Sequence, residues 1–569
     1  MQIKPLILFL SAASSSSVLY AVDPPSAGQL LREAERATPL PGLPRVSAPK
    51  IAPEVAAILE TTGSKLLLKG VRFEGNTQIE SSALEGVIKS YINQELTIND
   101  ILLLADLLTE HYVRSGFLAN VTVPKQDVSD GVVRFKIHEA RFGGTRVNAS
   151  NIKDVRVPAS LLEQIVEHDN PKDGLITLSQ IDRSLLLLSD LKGFSVKGGL
   201  QAGETVGESD LSLDLSADPF VSGSVSIDNH GGRSTGSNRM IASVALASPF
   251  YRGGELSFTA LKNEGSVYAR GLYSFPVGAS GLSASVQGSA IAYDVITPEF
   301  ATQKPRGESQ TLGADMTYPF VRSYAKNVFV SAGLNLKQFK NESLSGGTYA
   351  TQSDYNVWVG HAELKGNQLA NSVSSDYSVK LSGGYADLSG SENYDDDQRS
   401  AKTHGRYAKL SSAITLTLPV ASKLDLRLHG EGQLASKNLD SSEKFYLGGA
   451  NGVRAYPESE AGGSEGLRVS ADLGYQITDK LVGAVFVDWG RIRQYKDNVN
   501  ASGSSIADNN MYDLKGYGLS ATYDGPKRSQ VKATLSRRIG KNPNSTDDGT
   551  DQSGDLKSNR FWLSLLISF

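Results

Sequence analysis

From Pro219 to the carboxyl terminus the chain alternates apolar and polar side chains with a period of two, in runs separated by clusters of Gly, Ser, Asn and Asp. Sixteen such runs of about 9 to 13 residues follow one another, from VSGSVSIDN at 221–229 to NRFWLSLLISF at 559–569. This period marks strands with one apolar and one wet face. An even number of them, each long enough to cross a bilayer when tilted, predicts a mainly β chain closed into a 16-stranded transmembrane antiparallel barrel. In the last run Phe561, Leu563, Leu565, Ile567 and Phe569 share one face, suited to lipid, while Trp562, Ser564, Leu566 and Ser568 share the other. A soluble β-sandwich explains the alternation but neither the count nor the amino-terminal segment.

That segment, residues 1–21, places Lys4 before an apolar run and a small-residue stretch, the order of an export signal. Residues 22–38 contain SAGQLLREAERA, a helix whose thin apolar stripe includes Leu30 and Leu31 beside Arg32 and Glu33. So polar a helix is expected in a wet channel rather than a dry core. Prolines 39, 41, 44, 49 and 53 make residues 39–64 an extended linker. Residues 65–142 and 143–217 each read β-α-α-β-β, two helices over a small three-stranded sheet with an edge left free. No window approaches the roughly 18 apolar residues of a spanning helix, so crossing a membrane falls to the strands.

Composition excludes several chemistries. The chain has no Cys, which rules out disulfides and thiolate metal sites, and its net charge of -4 offers no basic footprint for nucleic acid. The seven histidines show no short ligand spacing, so no metal is assigned. GGSEG at 462–466 matches G-x-S-x-G around Ser464, but it leads into a strand instead of a helix. No catalytic residue and no cofactor is therefore expected, and the chain is not read as an enzyme. Asp395, Asp396 and Asp397 are read as a solvated acidic loop.

Residues 448–466, GGANGVRAYPESEAGGSEG, carry Val453, Arg454 and Tyr456 inside a Gly-rich loop that would not need them if it were only solvated. In the following hairpin, LVGAVFVDWGRI turns Phe486 and Asp488 inward if Val485 and Val487 face lipid. Arg454 is then in a position to meet Asp488, with Val453 or Tyr456 packed on Phe486. Spacing leaves two readings level: a loop folded into the barrel and clasped there, or an external loop beside an unrelated carboxylate.

Together these motifs resemble the outer-membrane transporters of two-partner secretion, the TpsB or haemolysin-activator family of the barrel-assembly superfamily. The resemblance rests on Val453, Arg454 and Tyr456 in the loop, Phe486 and Asp488 on the strand, and IDNHGGRSTGSNR (227–239) and SPFYRGGEL (248–256) in the first hairpins. It implies a plug helix at 22–38, two periplasmic polypeptide-transport-associated (POTRA) domains at 65–142 and 143–217, and a barrel at 218–569 whose loop 448–466 folds inward. It further implies a monomer in outer-membrane lipid, inserted by the barrel-assembly machinery, that secretes a large TpsA-type exoprotein, unfolded and without ATP, after its POTRA domains have bound it. Ala455 stands where the superfamily has glycine, which puts a positive φ there in question. Asp472 stands where glutamate is expected as a second latch contact, with a shorter reach. An insertase that assembles other barrels is the alternative.

Overall fold

The computed structural model describes residues 24–39, 43, 65–148, 155–205, 207–545, 549–551, 553–555 and 557–569. The expected export signal and most of the linker lie outside the described residues.

The first α/β unit is a sheet in which Gly70–Glu74 runs parallel to Val132–Glu139, and Ala119–Thr122 pairs with the latter antiparallel. Helices Ser81–Ile88 and Ile98–Arg114 cover one face. The longer helix starts on a capping box: Thr97 Oγ1 accepts the Asp100 amide, and the Asp100 carboxylate accepts the Thr97 amide at 2.7 Å. Its stripe of Ile101, Leu104, Ala105, Leu108 and Tyr112 then packs on Val133, Phe135 and Ile137.

The second unit repeats this order. Arg141–Asn148 runs parallel to Glu208–Ala217, which pairs antiparallel with Phe194–Ala202, beneath helices Ala159–Asp169 and Leu178–Asp190. It opens at Arg141, two residues ahead of the expected 143, because no linker separates the sheets. The Ala140 amide bonds Leu118 of the first unit, and the Arg141 amide already bonds Gly207 of the second.

Beyond them sixteen antiparallel strands close into a barrel, from Val221–Asp228 to Asn559–Ser568, and these two pair with each other from Ser564↔Asp228 to Ser568↔Ser224. Each alternating run of the sequence becomes one strand. Several strands outgrow the expected 9 to 13 residues, reaching 17 in Arg306–Arg322, 20 in Lys326–Ser345 and 23 in Thr348–Ala370. Their distal ends, such as KNESLS and TYATQSD, are polar on both faces, so they continue the hydrogen-bond ladder without continuing the pattern. At the end nearest the α/β units the turns are as short as 371–372, whereas the far end carries the long connection 436–464.

Helix Ala27–Ala37 lies against the inner wall of this barrel. Ser26 caps it by accepting the Gln29 amide at 3.3 Å. Contrary to the wet-channel expectation, its stripe of Ala27, Leu30, Leu31 and Ala34 is seated dry, because the wall supplies Leu261, Tyr268, Ile291, Tyr293, Phe339 and Val357 at lumen-facing positions. The opposite, polar face borders a cavity of about 360 Å³ lined by Arg32, Glu35, Lys337, Lys380 and Lys409 among others.

Candidate functional site

The connection between strands Leu424–Ala435 and Glu465–Thr478 does not project outward. It folds into the lumen as a narrow hairpin, Phe445–Tyr446 pairing with Gly462–Gly463, and its tip crosses to the wall formed by Glu465–Thr478 and Leu481–Arg493. On that wall Val485 and Val487 are each 50% exposed to the outside, while Phe486 and Asp488 are buried at 5% and 1%. The period of two thus delivers an aromatic ring and a carboxylate to the tip.

Every nitrogen of the Arg454 guanidinium donates there. Its Nε and Nη2 donate to Asp488 Oδ2 and Oδ1 at 2.9 and 2.7 Å, and its own backbone amide donates to Oδ2 at 3.0 Å. Nη1 donates to Asp472 Oδ1 at 2.6 Å, and Nη2 also reaches Asp472 Oδ2 at 3.2 Å. One planar cation therefore bridges two adjacent strands through fork-shaped pairs, a geometry lysine cannot reproduce. The shorter aspartate reaches the guanidinium without difficulty, so the concern over Asp472 is removed.

The packing differs from expectation. Neither Val453 nor Tyr456 covers Phe486; the guanidinium does, its central carbon 3.4 Å from the ring centroid. Val453 and Tyr456 instead join Leu447, Ala455, Ala461, Ile492, Tyr512 and Leu514 in a separate apolar cluster. Tyr456 Oη accepts the Lys515 amide at 3.5 Å. Ala455 is not among the residues with positive φ, so its side chain strains nothing.

Other residues build the site without having been legible as part of it. The Arg454 carbonyl accepts Ser536 Oγ at 2.6 Å and Trp562 Nε1 at 2.7 Å, which ties the tip to the last two strands. Inward-facing glycines hollow the wall to admit the loop. A Cβ at Gly516 would lie 2.5 Å from the Ala455 Cβ, and one at Gly518 2.6 Å from Phe486 Cζ. Asp488 and Phe486 are the register partners of these two glycines, so lumen-facing Gly beside F-x-D was the available signal.

The residues of helix Ala27–Ala37 expected to plug the lumen meet the same loop. Glu33 Oε1 accepts the Gly232 amide at 2.8 Å, Glu33 Oε2 accepts Ser459 Oγ at 3.5 Å, and Arg36 pairs with Glu458 at 3.3 Å. Arg32 pairs within the helix with Glu35 at 3.5 Å. Leu30 and Leu31 face the apolar wall. Ser464 is fully buried, its hydroxyl accepting the Leu439 amide and donating to the Gln494 carbonyl. Asp397, expected in a solvated loop, is buried and accepts from Thr403 and His404, closing the turn after helix Tyr394–Arg399.

A closed barrel that carries α/β units on one side and a clasped loop and helix in its lumen defines an outer-membrane barrel built to pass polypeptide. The haemolysin secretion/activation protein family, ShlB/FhaC/HecB, matches residues 207–508, and the ShlB-type POTRA domain matches residues 66–140. The chain belongs to this family. It is an outer-membrane transporter that secretes a partner protein, with its POTRA region in the periplasm.

Similar proteins include the heme/hemopexin transporter protein HuxB of Haemophilus influenzae, 22% identical over 589 residues that span 100% of both chains. The outer membrane transporter CdiB of Escherichia coli is 22% identical over 530 residues, covering 88% of this chain and 85% of that one. Among solved structures, CdiB from Escherichia coli superposes with a TM-score of 0.68 at 17% identity, over 95% of this chain and 96% of that one. BamA from Haemophilus ducreyi lacking POTRA domains 1–3 shares the fold at a TM-score of 0.53 and 13% identity, over 89% of this chain and all of that one.

Proposed function

We propose that the chain secretes one large TpsA-type exoprotein, an adhesin, haemolysin or contact-dependent inhibition toxin, as an unfolded polypeptide and without ATP. The outermost strands, Gly70–Glu74 and Ala119–Thr122 in the first unit and Arg141–Asn148 and Phe194–Ala202 in the second, present sheet edges for an extended cargo segment. On two of them Val121 is already held by Thr109 Oγ1 and Phe142 by Asp173 and Gly174, which leaves Gly70–Glu74 and Phe194–Ala202 the more open. Strand addition there gives affinity with little demand on sequence. The lumen cannot pass cargo while helix Ala27–Ala37 and the inward loop occupy it, so the helix acts as a plug that leaves and the loop as a latch that keeps the wall in order. The observation that carries this reading is Arg454, whose side chain and backbone together hold the loop tip to four strands.

The test is co-expression in a Gram-negative host with a large candidate exoprotein, sought first in the open reading frame adjacent to the transporter's own. Exoprotein should reach the medium only with the transporter present, and resident porins should stay at normal levels. Exoprotein retained in the periplasm, or porins depleted when the transporter is deleted from its own cell, would overturn the proposal. Deleting residues 24–39 should raise resting conductance in planar bilayers, and unchanged conductance would remove the plug role.

A further inference from the structure

The loop also touches the plug at a place far from Arg454. Ser441–Glu443 is a single 3-10 turn, capped by Asp440, whose Oδ1 accepts the Ser442 amide at 2.9 Å. Asp440 Oδ2 in turn accepts the Tyr355 hydroxyl at 2.8 Å. Glu443 is 3% exposed and lies between two lysines of the barrel wall, 2.8 Å from Lys337 Nζ and 2.6 Å from Lys409 Nζ. Its carbonyl accepts Lys409 Nζ at 3.1 Å and Gln433 Nε2 at 3.0 Å. Lys337 and Lys409 belong to strands that are not neighbours, Lys326–Ser345 and Gly405–Ala421. The carboxylate therefore fixes the turn from two directions.

The amino end of the plug helix rests on this turn. Ser26 Oγ and Ser441 Oγ are 2.7 Å apart, and a Cβ on Gly28 would stand 2.5 Å from Ser441 Oγ and 2.9 Å from the Ser442 nitrogen. Only glycine lets the helix come so close. The Ala27 amide donates to Asn341 Oδ1 at 2.8 Å, completing the seat. The far half of the helix reaches the other limb of the same loop through Arg36 and Glu458.

We propose that Glu443, pinned by Lys337 and Lys409, is the positioning residue of a plug seat: it sets the place of the Ser441–Ser442 shelf on which Gly28 lies, so the loop itself holds the plug closed. The idea rests on the reading of helix Ala27–Ala37 as a plug. A buried carboxylate facing two ammonium groups keeps its place only while all three remain charged and paired. Neutralising Glu443 leaves two buried cations without their partner and frees the shelf to shift, while Arg454 keeps its own contacts at the loop tip. Plug retention and loop latching are then separable.

The chain has no cysteine, so a Ser26→Cys/Ser441→Cys pair in the full-length protein reports plug seating by disulfide formation without background. Folding of each variant is checked by heat-modifiable electrophoretic mobility. In the folded barrel, Glu443→Gln should slow cross-linking roughly tenfold and raise resting conductance, whereas Glu443→Asp should retain part of both wild-type values. Cross-linking and conductance at wild-type levels in folded Glu443→Gln would overturn the seat. If that variant does not fold, Gly28→Val decides, since it lifts the helix off the shelf without altering the barrel: raised conductance supports the seat and wild-type conductance overturns it. Deletion of residues 24–39 separates the two ideas. An effect of the deletion without an effect of Glu443→Gln sinks the seat alone, and no effect of the deletion sinks the plug together with it.

Discussion

Arg454 stacks its guanidinium 3.4 Å from the centroid of the Phe486 ring while the same plane forks onto Asp488. The ring would otherwise be exposed to the lumen, and the cation covers it without giving up a hydrogen bond. Arg454→Lys keeps the charge but loses both the stack and the fork. It should lower secretion about tenfold or more, a loss of about 1.4 kcal/mol if secretion tracks the clasped population. The measurement is the ratio of exoprotein in the medium to that in the periplasm, with barrel folding confirmed by heat-modifiable mobility. Secretion at the wild-type level would show that the fork is dispensable.

The two carboxylates should not be equivalent. The Asp488 side chain is 0% exposed and accepts three bonds from Arg454, whereas that of Asp472 is 23% exposed and accepts two. Removing one partner of a fully buried pair costs about 3 kcal/mol or more, and a partly solvated one about 1 kcal/mol or less. Asp488→Asn should therefore lower the temperature at which the barrel unfolds on a semi-native gel far more than Asp472→Asn does. Equal shifts would mean that the two strands share the charge evenly.

The barrel was legible because lipid and lumen impose opposite demands on successive residues, a demand each of the sixteen runs obeys. Strand length was not, since the distal ends of Lys326–Ser345 and Thr348–Ala370 carry mostly polar side chains on both faces and so break the alternation. Arg454 and Asp488 could be read as a candidate pair because charge and aromatic character are costly in a loop tip and on a lumen wall. Glu443, Ser536 and Trp562 were hidden: each looks ordinary on its own strand or loop, and only closure of the ring brings Glu443 between Lys337 and Lys409 and the other two to the Arg454 carbonyl. The apolar wall behind helix Ala27–Ala37, with Leu261, Ile291, Phe339 and Val357, escaped the sequence reading because the helix it serves lies more than two hundred residues earlier in the chain.

In the first POTRA unit Glu139 ties the end of a strand to the turn before the first helix, accepting the Thr77 and Gln78 amides at 2.8 and 2.9 Å and the Tyr112 hydroxyl at 3.1 Å. Burial alone would raise its pKa, but hydrogen bonds from Thr77, Gln78 and Tyr112 outweigh it and hold the carboxyl below the ordinary value of 4.5. A carboxylate with a depressed folded pKa stabilises the fold above its unfolded pKa, and that contribution is lost as pH falls through the lower folded value. Hydrogen exchange at Ala119–Thr122 and Val132–Glu139 in the full-length protein, corrected for intrinsic rates, should thus be flat near neutrality and quicken below about pH 4. Glu139→Gln should remove this acid dependence and cost about 1 kcal/mol at neutral pH, the site being partly solvated. The same acid dependence in Glu139→Gln would assign it to another group.

The second α/β unit meets the barrel through Asp190 and Arg322. Arg322 Nη2 and Nε donate to Asp190 Oδ1 and Oδ2 at 2.7 and 2.9 Å, and Nη1 donates to Asn327 Oδ1 at 2.8 Å. The Arg322 side chain is 0% exposed, so Asp190 is the carboxylate that balances a cation buried at the barrel rim. Nearby, Arg183 Nη1 donates to the Pro319 carbonyl at 3.0 Å, and Arg156 lies 4.1 Å over the Phe220 ring. On the proposed route, cargo handed from a sheet edge to the lumen crosses this junction, and a fixed junction keeps the edge aimed at the mouth. Asp190→Asn leaves the helix Leu178–Asp190 intact but takes away the counter-charge, which should loosen the docking without unfolding either part. Hydrogen exchange should rise in the Lys192 amide, which donates to the Gly253 carbonyl of a barrel turn, while the core of the unit stays protected. Secretion should fall, while any binding of exoprotein to the α/β units should be unchanged. Unchanged exchange at Lys192 would show that the remaining contacts of Arg156 and Arg183 suffice to hold the unit in place.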